Sequence, residues 1–252
     1  VYLCFDVNEE TLPAAVAGLK TCGIRGFNLT MPNKNKIVEL LDELSPEAQL
    51  IGAVNTVLND NGKLIGYNTD GYGFMQSVRD AGHDITGKNI TIMGIGGASM
   101  AICAQSALDG AASVHIFARR TSRYWNRTQK FAENLSAKTG CKVCLFDNDD
   151  HTALRDSIAQ SYLLINATSV GMVPDIDDTI IKDTSLFHPE LVVADVVYEP
   201  QETRLLREAK AAGCQTFNGM YMLLHQGAKA FQIWTGQEMP VSVIKEKYFS
   251  VK

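Results

Sequence analysis

The sequence predicts an α/β fold in two domains, and three observations carry that expectation. From Asn89 onward, short apolar runs alternate with helix-length segments in a regular rhythm. The first of those runs ends in a glycine turn, Gly94-Ile95-Gly96-Gly97-Ala98-Ser99, which opens the next helical stretch. Residues 1–69 keep a less regular order and carry a hairpin signal at Asp60-Asn61-Gly62. Alternating strand and helix is the pattern of a parallel sheet. Asn-Gly between apolar runs marks a two-residue hairpin turn.

Bulk properties narrow the class. A chain of 252 residues, 46% apolar and 20% charged, is an ordinary globular composition with ample material for a core. A net charge of −5 with no basic run argues against a nucleic-acid partner. No apolar stretch approaches the roughly 20 residues that span a bilayer, so no membrane partner is expected. The start, Val1 to Asp6, lacks the basic residues and long apolar core of an export leader. Cys4, Cys22, Cys103, Cys141, Cys144 and Cys214 are scattered and read as reduced thiols, most of them in apolar contexts that suit buried small hydrophobes. These two features together predict a cytoplasmic location. Cys141 and Cys144 have redox or metal spacing, but they fall in a predicted strand, where residues three apart face opposite ways. No second pair completes a metal set, and none is expected.

The elements follow in order. Tyr2 to Asp6 reads as a strand, and Leu12, Ala15, Val16, Leu19 and Cys22 give helical spacing over about 9–22. Phe27 to Thr30 is a short strand stopped by Pro32, and a helix is expected over about 36–44. This opening has the βαβα order of a parallel sheet. A short helix over 46–51 precedes the hairpin strands 56–59 and 63–66, and a helix runs from about 70 to Ala81. The second half then reads as strands at 89–93, 113–117, 141–146, 162–166, 191–197 and 215–218. Helices separate them at 97–109, 122–137, 150–160 and 201–212, and a last one runs over 220–235. That is a Rossmann-type doubly wound parallel sheet with the glycine turn after its first strand, plus a smaller α/β substrate domain. The boundary falls at the helix over 70–82. It divides 1–69, completed by the helices of 220–252, from a dinucleotide-binding domain over 70–219.

The glycine turn is a place for a pyrophosphate. Glycines let backbone N–H groups approach the ligand, and the helix N-terminus favours an anion. Ser99 stands where the fingerprint has Gly or Ala, and it is small enough to keep helix and strand close. An NAD site usually has an acid at the tip of the second strand, on the ribose 2′-OH. Here that tip is Ala118-Arg119-Arg120-Thr121-Ser122-Arg123. Guanidiniums and hydroxyls suit a 2′-phosphate, so the cofactor expected is NADP, with NAD possible. Arg119 and Arg120 could equally stack on the adenine or simply be solvated.

A nicotinamide enzyme needs a proton donor or acceptor beside the reacting carbon. His83, His115, His151, His188 and His225 read as structural. Lys34 follows the strand over 27–30 directly, at a carboxyl end where α/β sheets place ligands. Asp70 follows the hairpin. A lysine and a carboxylate can form an acid/base pair, but spacing alone serves equally well for a surface charge and a helix N-cap.

Seven motifs in order then carry a resemblance over nearly the whole chain. They are Asn28-Leu-Thr-Met-Pro-Asn-Lys34, Ile51-Gly-Ala-Val-Asn-Thr56, Asn68-Thr-Asp-Gly71, the glycine turn, Asn166-Ala-Thr-Ser-Val-Gly-Met172, Asp195-Val-Val-Tyr-Glu-Pro200 and Gly219-Met-Tyr-Met-Leu-Leu-His-Gln226. The chain resembles the shikimate/quinate dehydrogenase family, and its late stretch 222–236 is most similar to the branch that accepts both acids. The resemblance implies reversible oxidation of shikimate or quinate to the 3-dehydro ketone. It implies Lys34 as catalytic acid/base and Asp70 as the residue that binds the reacting hydroxyl and orients Lys34. Thr30, Asn55 and Gln226 would bind other ring hydroxyls, and Tyr198 would sit near substrate and nicotinamide. Ile95, Gly96, Gly97, Ala98 and Ser99 would take the pyrophosphate, and Ala118, Arg119, Arg120 and Thr121 the adenosine end. Thr168, Ser169, Val196 and Gly219 would line the cofactor cleft. The oligomer expected is a monomer or homodimer. Family members carry a further strand and a Ser-x-Ser carboxylate anchor ahead of the position of Val1, outside the sequence here. The rival expectation is therefore a nucleotide-binding chain with little or no turnover.

Overall fold

A computed structural model describes residues 1–249. They form two compact units, one of Val1–Thr69 with the chain from Gln226 onward, the other of Asp70–His225.

The first unit holds a four-stranded sheet. Its strands are β1 (Gly26–Asn28), β2 (Glu43–Leu44), β3 (Thr56–Asp60) and β4 (Lys63–Tyr67), in the order β1-β3-β4-β2. The predicted hairpin is β3–β4. Asn61 at φ 52° and Gly62 at φ 92° supply the two left-handed positions its turn needs. The flanking helices are α1 (Leu12–Thr21), α2 (Asn33–Lys36), continued as a 3₁₀ turn over Ile37–Leu40, and α3 (Pro46–Ile51). α3 is well bounded. The Ser45 hydroxyl accepts from Ala48 N at 3.3 Å, Pro46 opens the helix, and Gly52 closes it at φ 66°. Leu12, Val16, Ile37, Ala48, Val54, Val57 and Leu64 make the core of this unit.

Three sequence expectations fail here. β1 pairs antiparallel with β3, so the βαβα opening is not a parallel sheet. The hairpin takes the place beside β1 that a parallel neighbour would have had. The predicted helix over 36–44 breaks after Leu40 because the sheet captures the chain. Asp42 N donates to Leu64 O at 2.9 Å, the Asp42 carboxylate accepts from Leu64 N at 2.7 Å, and Glu43–Leu44 joins β4. Tyr2 to Asp6 forms no strand, and Tyr2, Leu3 and Phe5 are exposed. α1 also starts later than its periodicity suggested. The Asn8 side chain accepts from the N–H groups of Glu10 and Thr11, and this turn precedes the helix.

The second unit follows the predicted rhythm. Its strands are β5 (Asn89–Met93), β6 (Ser113–Ala118), β7 (Lys142–Asp147), β8 (Leu163–Asn166), β9 (Val192–Asp195) and β10 (Gln215–Phe217). All pairings are parallel, in the order β10-β9-β8-β5-β6-β7. Its helices are α4 (Asp70–Asp80), α5 (Gly97–Leu108), α6 (Trp125–Thr139), α7 (His151–Gln160) and α8 (Arg204–Ala211). α9 (Met220–Thr235) begins in this unit and ends in the first. The strands of a parallel sheet are covered on both faces, so they read as continuous apolar runs. β8 and β9 are buried at every position. Gly71 lets α4 close onto α5, since a Cβ there would lie 2.3 Å from Ala101 O.

Candidate active site

Strand order reverses between β5 and β8, and ligands of open α/β sheets bind at the carboxyl ends of strands at such a point. The loops leaving β5, β8 and β9 surround a cleft of about 620 Å³ there. Gly96, Gly97 and Ala98 line it from β5, Thr168 and Ser169 from β8, and Val196, Tyr198 and Glu199 from β9. Gly94, at φ 112°, makes the turn; a Cβ on it would also lie 2.8 Å from Ala167 O. Gly96 and Gly97 serve differently. They are exposed, and a Cβ on either meets nothing within 4 Å. The space they leave lies before the first turn of the 12-residue α5, whose free N–H groups favour an anion. A pyrophosphate fits that donor set and that space.

Seven of the predicted residues therefore share one cleft: Gly96, Gly97, Ala98, Thr168, Ser169, Val196 and Tyr198. Ile95 lies in the turn, half-buried. Ser99 and Gly219 need correction. Ser99 is fully buried and its hydroxyl donates to Gly94 O at 2.6 Å, so its side chain braces the turn rather than lining the cleft. Gly219 is buried against the back of the β9 loop, where a Cβ would lie 2.1 Å from Val196 O. Its role is close backbone approach rather than lining. Ala118 is a buried strand end, and Arg119, Arg120 and Thr121, which follow it, are exposed. This basic tip is next to the turn, because Gly94 N donates to Phe117 O at 2.8 Å. The Arg120 guanidinium stacks over Trp125 at 4.7 Å, which holds its fork in place.

In the first unit, Thr30, Lys34 and Asn55 come together through backbone ties. Leu29 N donates to Asn55 O at 2.9 Å, Val54 N to Lys34 O at 2.8 Å, and Asn33 N to Thr30 O at 3.0 Å. Because β1 runs antiparallel to its neighbour, Lys34 follows a strand of a mixed sheet rather than of a parallel one. Asn55 is 2% exposed and fixed by Thr69, which gives its backbone N–H to Asn55 Oδ1 and accepts from Nδ2, both at 2.9 Å. Asp70, buried, is the next residue and opens α4. Gln226 lies on α9, whose far end docks on β1 and β3. Trp234 Nε1 donates to Val57 O and Arg25 Nε to Trp234 O, each at 2.9 Å.

Three histidines have structural partners. His83 bonds the Tyr162 hydroxyl, His115 that of Ser157, and His225 the Asp80 carboxylate, each at 2.9 Å. Burial pushes the Cys141 thiol up to about 11 and raises that of Cys103 well above its ordinary value, which suits packing rather than redox chemistry. Reading the sequence missed Ala167, Met172, Val173, Val197 and Glu199 as cleft residues. All lie within quoted motifs or one residue beyond, and their position after β8 and β9 was the available signal.

A six-stranded parallel sheet with a glycine turn at its switch point has the form of a dinucleotide-binding unit, the kind that NAD(P)-linked oxidoreductases carry. Comparison with known proteins narrows this. Residues 1–57 match the shikimate dehydrogenase substrate binding domain, and residues 219–247 the shikimate 5'-dehydrogenase C-terminal domain. A shikimate dehydrogenase (NADP(+)) from Listeria innocua is 51% identical over 99% of this chain and 85% of its own. A quinate/shikimate dehydrogenase from Escherichia coli is 42% identical over 97% and 85%. The crystal structure of the Listeria monocytogenes shikimate 5-dehydrogenase with shikimate and NAD superposes with a TM-score of 0.95 at 51% identity, covering 98% of this chain and 85% of that one. The chain belongs to the shikimate dehydrogenase family.

Proposed function

We infer that this chain catalyses the reversible NAD(P)-linked oxidation of shikimate, and of quinate, to the 3-dehydro ketone, with NADP preferred. The observation that carries this is the glycine-floored cleft at the switch point in a chain 51% identical to a shikimate dehydrogenase (NADP(+)). The 42% identity to a quinate/shikimate dehydrogenase supports the second substrate. The unit of residues 70–225 takes the nucleotide role, and residues 1–69 with the chain from 226 the substrate role.

Nicotinamide, when bound, supplies the acceptor for the hydride leaving the hydroxyl-bearing carbon. The chain's own residues do the rest. Lys34 takes the hydroxyl proton during oxidation and returns it during reduction. Asp70 binds the same hydroxyl. Thr30, Asn55 and Gln226 read the remaining ring hydroxyls, and a ring lacking one of them leaves a polar group unpaired. Fixing of the Asn55 amide by Thr69 sets which of its atoms it presents. Gly96, Gly97 and Ala98 hold the pyrophosphate through backbone N–H groups, and Tyr198, which lines the same cleft, serves the nicotinamide and the substrate.

Initial rates for shikimate and quinate, each with NADP and with NAD, test this in the full-length protein. Turnover of shikimate with a higher kcat/KM for NADP is expected; nucleotide binding with no turnover of either acid would overturn it. Replacing Arg119 and Arg120 together by Ser is expected to lower kcat/KM for NADP by about 10- to 100-fold, the size of one or two lost charge-assisted hydrogen bonds. The NAD value should stay within about threefold. Equal losses with both nucleotides would return these arginines to adenine stacking or to solvent.

A further inference from the structure

Behind the cleft, the carboxyl ends of β8 and β9 carry a buried polar cluster that the reaction itself does not use. Asn166 and Asp195 are register partners on adjacent strands, 1% and 0% exposed. Asp195 Oδ1 accepts from Asn166 Nδ2 at 3.0 Å and from Val197 N at 2.9 Å, and its Oδ2 accepts from the Thr203 hydroxyl at 2.8 Å. Asn166 Nδ2 also donates to Val170 O at 3.1 Å. Asn166 Oδ1 accepts from Thr168 N at 3.1 Å and from the Thr168 hydroxyl at 2.7 Å. That hydroxyl in turn accepts from Val170 N at 3.1 Å.

A buried carboxylate with three neutral donors is an expensive way to fill a core. Apolar side chains of the same volume are commonly as stable or more so. Burial does push the Asp195 carboxyl up, against the pull of its three hydrogen bonds. What the cluster supplies is orientation. The carboxylate accepts only, so it fixes which end of the Asn166 amide faces it, and the amide oxygen is left to Thr168.

We infer that Asp195 and Asn166 are positioning residues of the nucleotide cleft, holding its β8 wall through Thr168 and its β9 wall through the Val197 amide. This rests on the cleft being the nucleotide site. Neither side chain lines the cleft, while Thr168, Val196, Val197 and Tyr198 all do. Both walls therefore move if the pair is lost, and misplacing a binding group by about 1 Å can cost up to about 100-fold.

The test measures NADP affinity by calorimetry, shikimate KM and thermal midpoint in the full-length protein. Asp195→Ala is expected to weaken NADP binding by about 10-fold or more, with shikimate KM within about twofold. Asp195→Asn keeps the two acceptor contacts at Oδ1 and can donate to the Thr203 oxygen, so it should recover affinity to within about threefold of wild type. Thr203→Val, outside the cleft lining, serves if Asp195→Ala does not fold. It should weaken NADP about threefold, with Thr203→Ser restoring it. Ile181→Ala, a buried core change in the same unit, controls for lowered stability and should leave affinity unchanged. Unchanged affinity in folded Asp195→Ala or Thr203→Val overturns the proposal, as does an equal loss in Ile181→Ala. Failure of the wild type to bind NADP overturns the cleft assignment itself.

Discussion

Lys34→Ala is expected to lower kcat by about 100-fold or more, the usual contribution of a positioned general acid/base. NADP affinity should hardly change. Lys34 belongs to the unit of residues 1–69 and the glycine cleft to the unit of 70–225, so the two functions should separate cleanly on substitution. The shape of the surrounding loop should survive, since the tie to Val54 uses the Lys34 carbonyl rather than its side chain. Lys34→Arg keeps a charge but no proton-exchanging amine, because guanidinium does not deprotonate in proteins. It should be nearly as impaired as Ala. Stopped kcat with intact nucleotide titration is the signature, and near-wild-type turnover in either variant would remove Lys34 from the chemistry.

Gly219→Ala is expected to be the most damaging single methyl group outside the substrate unit. Its Cβ would lie 2.1 Å from Val196 O and 2.6 Å from Val196 C, with backbone rather than a flexible side chain in the way. The two segments are also tied by Gly219 N donating to Val197 O at 3.3 Å. Overpacking of this kind costs about 3 kcal/mol, or roughly 6–12 °C in Tm for a unit of this size. Because Val196 is cleft wall, NADP affinity should fall about 10-fold as well. Gly96→Ala is the informative contrast. Its Cβ meets nothing within 4 Å, so Tm should hold while the methyl takes space meant for the ligand. Calorimetry and nucleotide titration on both variants separate a glycine kept for packing from one kept for a ligand.

The sequence made the second unit legible for a physical reason. β8 and β9 are buried strands that open as apolar runs, and β5 is buried over its last four residues; the glycine turn fixes where their order must reverse. The first unit was harder because strand direction is not written in local pattern. β1 and β4 look alike whether their neighbour runs parallel or antiparallel, and only pairing with β3 decides it. Residues 36–44 carry helical spacing, yet the ladder between Asp42 and Leu64 overrides it. Within the site, residue type pointed to Gly96, Gly97 and Arg119, whose roles follow from backbone exposure and charge. Type could not show that Ser99 faces inward, which the local geometry of the turn decides through its bond to Gly94 O. Nor could it show that Asp195 and Asn166 meet behind the cleft, which depends on register between strands whose partners lie 29 residues apart in sequence.

Transfer of label tests the central claim most directly. The full-length protein would be given shikimate carrying deuterium on ring carbon 3, whose hydroxyl becomes the ketone, together with NADP, and the reduced nucleotide examined by mass spectrometry. Deuterium in the nicotinamide ring, with 3-dehydroshikimate formed in equal amount, is expected. Nucleotide and shikimate both bound, with no label transferred, would contradict the account.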